Sequence, residues 1–195
     1  MKQKILETLF KKLGVCNRIL QKTFSEEEAL KSICKYLVEE LDFRLVWVGV
    51  PDYEKGLVKP LFWEGHEEDY LSEIEILLDP KSDEGKDLAA TSIGEGKIAF
   101  VERSLKRGYL SGVCIPLFVK GKLKYLLNIY AKEANFFSEE LSPFLNILKE
   151  NLEYALERIE EEIYSKMFRI ALEESDLFIF ITDAEGTIKY LNPYM

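Results

Sequence analysis

Residues 105–133 read LKRGYLSGVCIPLFVKGKLKYLLNIYAKE, and within them two apolar runs, Val113 to Val119 and Leu123 to Ala131, flank Lys120-Gly121-Lys122. Apolar runs of that length around one short polar break are the signature of a β-hairpin. A hairpin with one wet face alternates apolar and polar residues, because successive side chains of a strand point to opposite faces. Here both faces are apolar: Val113, Ile115, Leu117 and Val119 on one, Cys114, Pro116 and Phe118 on the other. The hairpin is therefore predicted at the centre of a sheet that is covered on both sides.

The flanking sequence supplies the covers. Residues 2–22 place Ile5, Leu9, Leu13, Cys16 and Leu20 on one helical face with lysines opposite. Ser25 followed by Glu28 is a capping box that opens a second helix, with Leu30, Ile33, Leu37 and Leu41 facing inward. The β-branched and aromatic stretches 43–50 and 57–65, joined by a turn at 51–56, form another hairpin. Residues 66–97 are polar: Tyr70, Leu71, Ile74 and Leu77 are spaced for one short helix, and residues 88–93 for another that stops at Gly94 and Gly96. KIAFVE, residues 97–102, is a short strand, and residues 104–108 a helical turn. Ser138 caps a long helix reaching about Glu174, with Leu141, Leu145, Leu148, Leu152, Ala155, Ile159, Ile163, Met167 and Ile170 in a coiled-coil-like seam. The expected fold is α+β, an α/β/α sandwich: a central mixed or antiparallel sheet of five to six strands, helices on both faces, and a long C-terminal helix.

Composition narrows the function. A chain of 195 residues, 47% hydrophobic and 31% charged, suffices for one core, or one domain and a piece of a second. A net charge of −9 without a dominant basic patch argues against nucleic acid as a partner. The first helix is basic and the last acidic, so the two are candidates to lie side by side, in one chain or across a homodimer. Cys16, Cys34 and Cys114 are odd in number and far apart, which fits reduced thiols in a cytoplasmic protein rather than a disulfide framework or a zinc cage. No segment has the length and apolarity of a signal peptide or a membrane span.

TSIGEGKIAFVE (91–102), the RGY-x-S leading into the apolar strand, Asn-Ile-Tyr at 128–130 and FSEEL at 137–141 stand in an order that resembles a GAF domain. That resemblance implies a small-molecule-sensing module of the kind that precedes PAS, GGDEF and EAL domains in bacterial signalling proteins. The tail from Phe168, FRIALEESDLFIFITDAEGTIKYLNP, resembles the opening two strands of a PAS domain and then stops, so the chain reads as a piece of a longer protein. The boundaries that follow are a GAF domain over 1–158, a signalling linker helix over 159–175 and a truncated PAS fragment over 176–195. Tyr125 stands where family members often carry glycine, a change expected to shrink or reshape the cavity. The cyclic-nucleotide signature of the family and the Cys-His pair that tethers a bilin are missing, so neither ligand is implied, and no cofactor is named by the sequence.

The expected function is regulatory: a ligand under residues 64–110 biases the exit helix, and the helix passes the change to the PAS and output domains of a diguanylate cyclase, phosphodiesterase or sensor kinase. Aromatic or soft residues expected near the cavity wall are Trp47, Trp63, Tyr70, Phe100, Tyr109, Cys114 and Tyr130. His66, the lone histidine, leaves no Ser-His-Asp set, and no phosphate-cradling loop is present, so an enzyme is not expected. Two alternatives remain: a dimerising scaffold whose pocket is filled by Tyr125, and a thiol redox enzyme like the GAF relatives that reduce free methionine sulfoxide, with Cys114 as nucleophile.

Overall fold

The computed structural model describes the backbone of residues 2–65, 76–77, 88–101 and 111–193, and the side chains of residues 6–65, 91–100 and 111–193. Helix α1 runs Lys2–Leu20, burying Leu9, Leu13, Cys16 and Leu20 along one face. Helix α2, Glu26–Glu39, starts where the capping box places it. Ser25 is extended and its Oγ accepts from the Glu28 N–H at 3.1 Å, while Glu28 Oε2 accepts from the N–H of Phe24. Both bonds satisfy donors that a helix start leaves unpaired. The helix ends before Leu41, which is half-buried in the following turn rather than on the inward face.

The strands follow as β1 (Leu45–Asp52), β2 (Leu57–Gly65), β3 (Ile76–Leu77), β4 (Ala99–Val101), β5 (Ser111–Val119) and β6 (Lys122–Ala131), with helix α3 (Leu88–Glu95) between β3 and β4. They form one six-stranded sheet in the order β3-β2-β1-β6-β5-β4, every pair antiparallel. The hairpin β5–β6 is central, as its two apolar faces require, and its turn residues Lys120 and Gly121 have φ of 50° and 75°. Two positive φ values make the tight turn whose twist matches that of the strands. Gly65 is required twice over: its φ is 116°, and a Cβ there would strike the Arg44 carbonyl oxygen on the adjoining strand end.

Leu77 departs from expectation, lying in a two-residue strand on the β2 edge, opposite Leu57, instead of a helix. An open strand edge offers backbone groups to any neighbouring segment, and that demand overrides weak helical spacing. Residues 66–75, including Tyr70, Leu71, Ile74 and His66, and the turn at 104–108 lie outside the described residues.

Register assigns the two faces. Val113, Ile115 and Leu117 on β5 share a face with Ile129, Leu127 and Tyr125 on β6. The helices cover this face: Tyr125 Oη donates to Glu26 Oε2 of α2 at 2.7 Å, and Lys31 of α2 sits 5.0 Å from the Phe62 ring, in register with Val48 and Leu127. Tyr125 therefore points into the helix layer, and the expectation that it reshapes the opposite side fails by strand parity. Helix α3 touches β4 and β5 and, at the other sheet edge, β3, so it spans the sheet from one edge to the other.

Ser138 precedes a 3-10 turn, Glu139–Leu141, rather than capping the long helix directly, and its side chain makes no capping bond. Helix α4 then runs unbroken through Ser142–Glu173. Its seam is buried from Leu141 through Ile159, and exposed at Ile163, Met167 and Ile170. Phe10 of α1 meets Phe144 of α4 edge-on at 6.4 Å, while the α1 cation Lys12 pairs with Glu40.

The chain divides into two compact units, residues 1–157 and 158–195. In the second, β7 (Phe180–Thr182) and β8 (Ile188–Leu191) form an antiparallel hairpin. Its turn is closed by Asp183, whose Oδ1 accepts from the Thr187 N–H at 2.8 Å. Asn192 ties the hairpin base, accepting from the Ile179 N–H and donating to the carbonyls of Leu172 and Leu177.

Candidate functional site

On the sheet face away from α2, the cross-strand register builds a single row. Trp63 of β2 lies opposite Trp47 of β1, Trp47 opposite Asn128 of β6, Asn128 opposite Cys114 of β5, and Cys114 opposite Ala99 of β4. Directly opposed residues in an antiparallel sheet point the same way, so these five side chains stand side by side. Tyr130, opposite Leu45 and Gly112, is on the same face two residues along β6. The structure thus brings together Trp47, Trp63, Cys114 and Tyr130 of the sequence-derived set.

Phe100 is not among them. It pairs with Val113 and so has the parity of the helix side. On a three-residue edge strand, one step of register reverses the face, and apolar spacing cannot fix that step. Tyr70 and Tyr109 lie outside the described residues.

The row is polar where it is most deeply buried. Trp47 is 1% exposed and Asn128 0%, and among the described residues neither the Trp47 indole N–H nor Asn128 Oδ1 has a hydrogen-bond partner. Among the described residues Asn128 Nδ2 donates only to the Leu126 carbonyl, at 3.3 Å, on its own strand. Buried donors and acceptors are nearly always paired, since leaving one unmade costs about 1–3 kcal/mol. Trp63, at the row's end, is 43% exposed. Gly49 makes room for the Trp47 ring: a Cβ at Gly49 would lie 2.7 Å from Trp47 Cζ3, so the indole extends along β1 over the glycine. Asn128 was missed as a site residue; its signal is a lone amide inside an apolar run whose two faces are both buried.

The thiols are not gathered at this row. Cys114 is in it and fully buried, whereas Cys16 is on α1 and Cys34 on α2, where it feels Glu64 on the helix side. Burial pushes Cys16 and Cys34 up to about 12, far from the range of a reactive thiolate. Among the described residues no group of His, Cys, Asp and Glu is arranged to hold a metal.

Helix α4 is bonded to the backbone of the same hairpin. The ladder between β5 and β6 shifts register after Leu117, where Lys124 is bulged out. There the Phe118 N–H donates to Glu153 Oε1 at 2.7 Å, and two residues on the Lys120 N–H donates to Glu157 Oε1 at 2.8 Å. Lys149 pairs with Glu153 at 2.9 Å and lies 5.2 Å from the Phe118 ring centre. The strand carrying Cys114 and Pro116 is thereby joined, within a few residues, to α4.

A family profile described as GAF domain matches residues 24–157. Among curated protein sequences none matches the chain. Solved structures share the fold at low identity. A free methionine-R-sulfoxide reductase from Neisseria meningitidis, in complex with its substrate, superposes with a TM-score of 0.68 at 15% identity, covering 80% of this chain and 93% of that one. The GAF domain of an Acinetobacter phosphoenolpyruvate-protein phosphotransferase gives 0.56 at 14%, covering 84% and 98%. Residues 122 to 287 of a methyl-accepting chemotaxis protein give 0.56 at 13%, covering 74% and 96%.

Proposed function

The chain belongs to the GAF domain family through residues 24–157, and from that premise we propose that it is a regulatory sensor in which a small molecule completes the Trp47–Asn128 row and the hairpin β5–β6 reports its presence to α4. The observation that carries the reading is the pair of fully buried polar groups on one sheet face that find no partner among the described residues. Such groups cost stability in a scaffold with no ligand, and a ligand that pairs them offsets that cost. The wall residues of this reading are Trp47, Trp63, Cys114, Asn128 and Tyr130.

Transmission needs only that the ligand prefer one arrangement of hairpin and helix over another. Glu153 and Glu157 support such a route, since a shift of β5 at Phe118 moves two hydrogen bonds held by α4. The exposed seam residues Ile163, Met167 and Ile170 suit a homodimer through the exit helix. Residues 176–195 fit the opening of a PAS domain: the hairpin presents Phe178, Phe180, Ile181 and Leu191 to solvent, a surface suited to packing against further strands. A bacterial signalling protein with a GGDEF, EAL or kinase output, working in the cytoplasm, is the setting this arrangement fits. Among the described residues no helix is long and apolar enough to cross a membrane.

The redox alternative borrows from the fold likeness to free methionine-R-sulfoxide reductases. A thiol relay requires two sulfurs within reach of each other, and here the sheet separates Cys114 from Cys34.

The test is hydrogen exchange on the whole chain with and without a small-molecule extract of cytosol freed of protein. Added protection in both 111–131 and 142–173 is expected. Exchange unchanged in both segments overturns the sensor.

A further inference from the structure

Resting on the sensing role proposed above, we infer that the molecule taken by the Trp47–Asn128 row is an uncharged, amide-bearing ring: one acceptor for the Trp47 indole N–H, one donor for Asn128 Oδ1, and a flat body laid against Trp47.

The polarity of the two groups sets the complement. An indole nitrogen only donates, so its partner must be an acceptor. Asn128 Nδ2 is turned to the Leu126 carbonyl, which leaves Oδ1 facing the row as an acceptor that needs a donor. The two residues are cross-strand neighbours, with Cα atoms about 5 Å apart, so one small occupant reaches both. A donor beside an acceptor on a small neutral frame is the chemistry of an amide edge. A hydrocarbon would leave both groups orphaned, and a simple acceptor would leave Asn128 unpaired.

Charge is excluded by the sheet. Among the described strand residues with this parity, none is Asp, Glu, Lys, Arg or His. An ionised group seated against them would lose its hydration and receive no counter-charge from the sheet. Shape follows from the indole itself: Gly49 leaves the Trp47 ring room beside β1, and an aromatic ring is the partner on which a flat, neutral ring stacks.

The experiment uses the whole wild-type chain, whose two tryptophans, Trp47 and Trp63, both stand in the row. Uracil, 2-pyridone and nicotinamide are titrated beside the charged orotate, nicotinate and free methionine sulfoxide and the apolar toluene, reading tryptophan emission and Tm. At least one neutral amide is expected to shift the emission and raise Tm, with each charged or apolar probe weaker by tenfold or more. Asn128→Leu is expected to weaken the amide by about tenfold or more, and Trp47→Phe, read by Tm alone, by a similar factor. Charged or apolar probes that bind as tightly as the amides, or amide binding that survives both variants, overturn the inference while the sensor stands. No binding of any probe, with hydrogen exchange still responsive to the cytosolic extract, also overturns the inference alone. No binding together with an unresponsive hydrogen exchange overturns both.

Discussion

At the scale of single residues, Asn128 is the most informative position. Its amide is buried, poorly paired and surrounded by apolar neighbours, so without a ligand it costs stability. Asn128→Leu is expected to stabilise the ligand-free protein by about 1 kcal/mol, visible as a higher midpoint in denaturant titration at unchanged slope; a lower midpoint would show that the amide is structural. The buried thiols give a second expectation. Cys16 and Cys34 are raised from 9.0 to about 12 by burial, so the folded state keeps protons that the unfolded chain has already released. Their contribution is complete below about pH 9 and is lost as pH climbs toward 12. Unfolding measured at several pH values in that window should show a steeper loss for the wild type than for Cys16→Ala/Cys34→Ala; equal slopes would contradict the burial effect. Cys16 was legible as an inward position from helical periodicity, whereas the spacing of the second helix marked Ile33 and Leu37 and passed over Cys34 between them. The pairing state of Asn128 was not legible, since it depends on which atoms face it across β1 and β5.

Among the elements, the hairpin β5–β6 and helix α4 are the pair to perturb. Glu153 takes up an N–H at the point where the ladder shifts register, a donor that would otherwise lie half-buried beside a bulge. Glu153→Leu is expected to cost about 1–2 kcal/mol, from the lost bond and the stranded N–H, and to speed amide exchange at Phe118 and its neighbours. Glu153→Gln, which keeps a carbonyl oxygen, should recover most of that loss; failure to do so would assign the effect to the Lys149 ion pair instead. The hairpin itself was readable from two apolar runs around Lys120-Gly121, because a strand buried on both faces has no polar alternation to hide it. The strand β3 was not, because two residues on a sheet edge are recruited by a neighbour's free backbone rather than by their own pattern.

For the whole molecule, the question is what the exposed half of the α4 seam does. Ile163, Met167 and Ile170 are 45%, 60% and 48% exposed, on the same spacing that buries Leu145, Leu148 and Leu152. If the seam joins two copies, sedimentation should find a dimer, and Ile163→Glu with Met167→Glu should dissociate it by tenfold or more while leaving the midpoint of the 1–157 unit unmoved. A wild-type monomer at micromolar concentration would remove the exit-helix dimer from the proposal and leave the binding row untouched.

The sequence by itself determined the layers: two amphipathic helices, a central hairpin apolar on both faces, and a long helix with one continuous seam. Such features arise from periods of two and 3.6 residues, and a period survives any rearrangement of the elements that carry it. Only the tertiary structure decided which side chains share a face. Strand register put Trp47, Asn128 and Cys114 in one row, sent Tyr125 and Phe100 to the other side, and brought Glu153 and Glu157 to the hairpin backbone. Register is a relation between distant segments, and a shift of one residue reverses every side chain of a strand without changing a letter of its pattern.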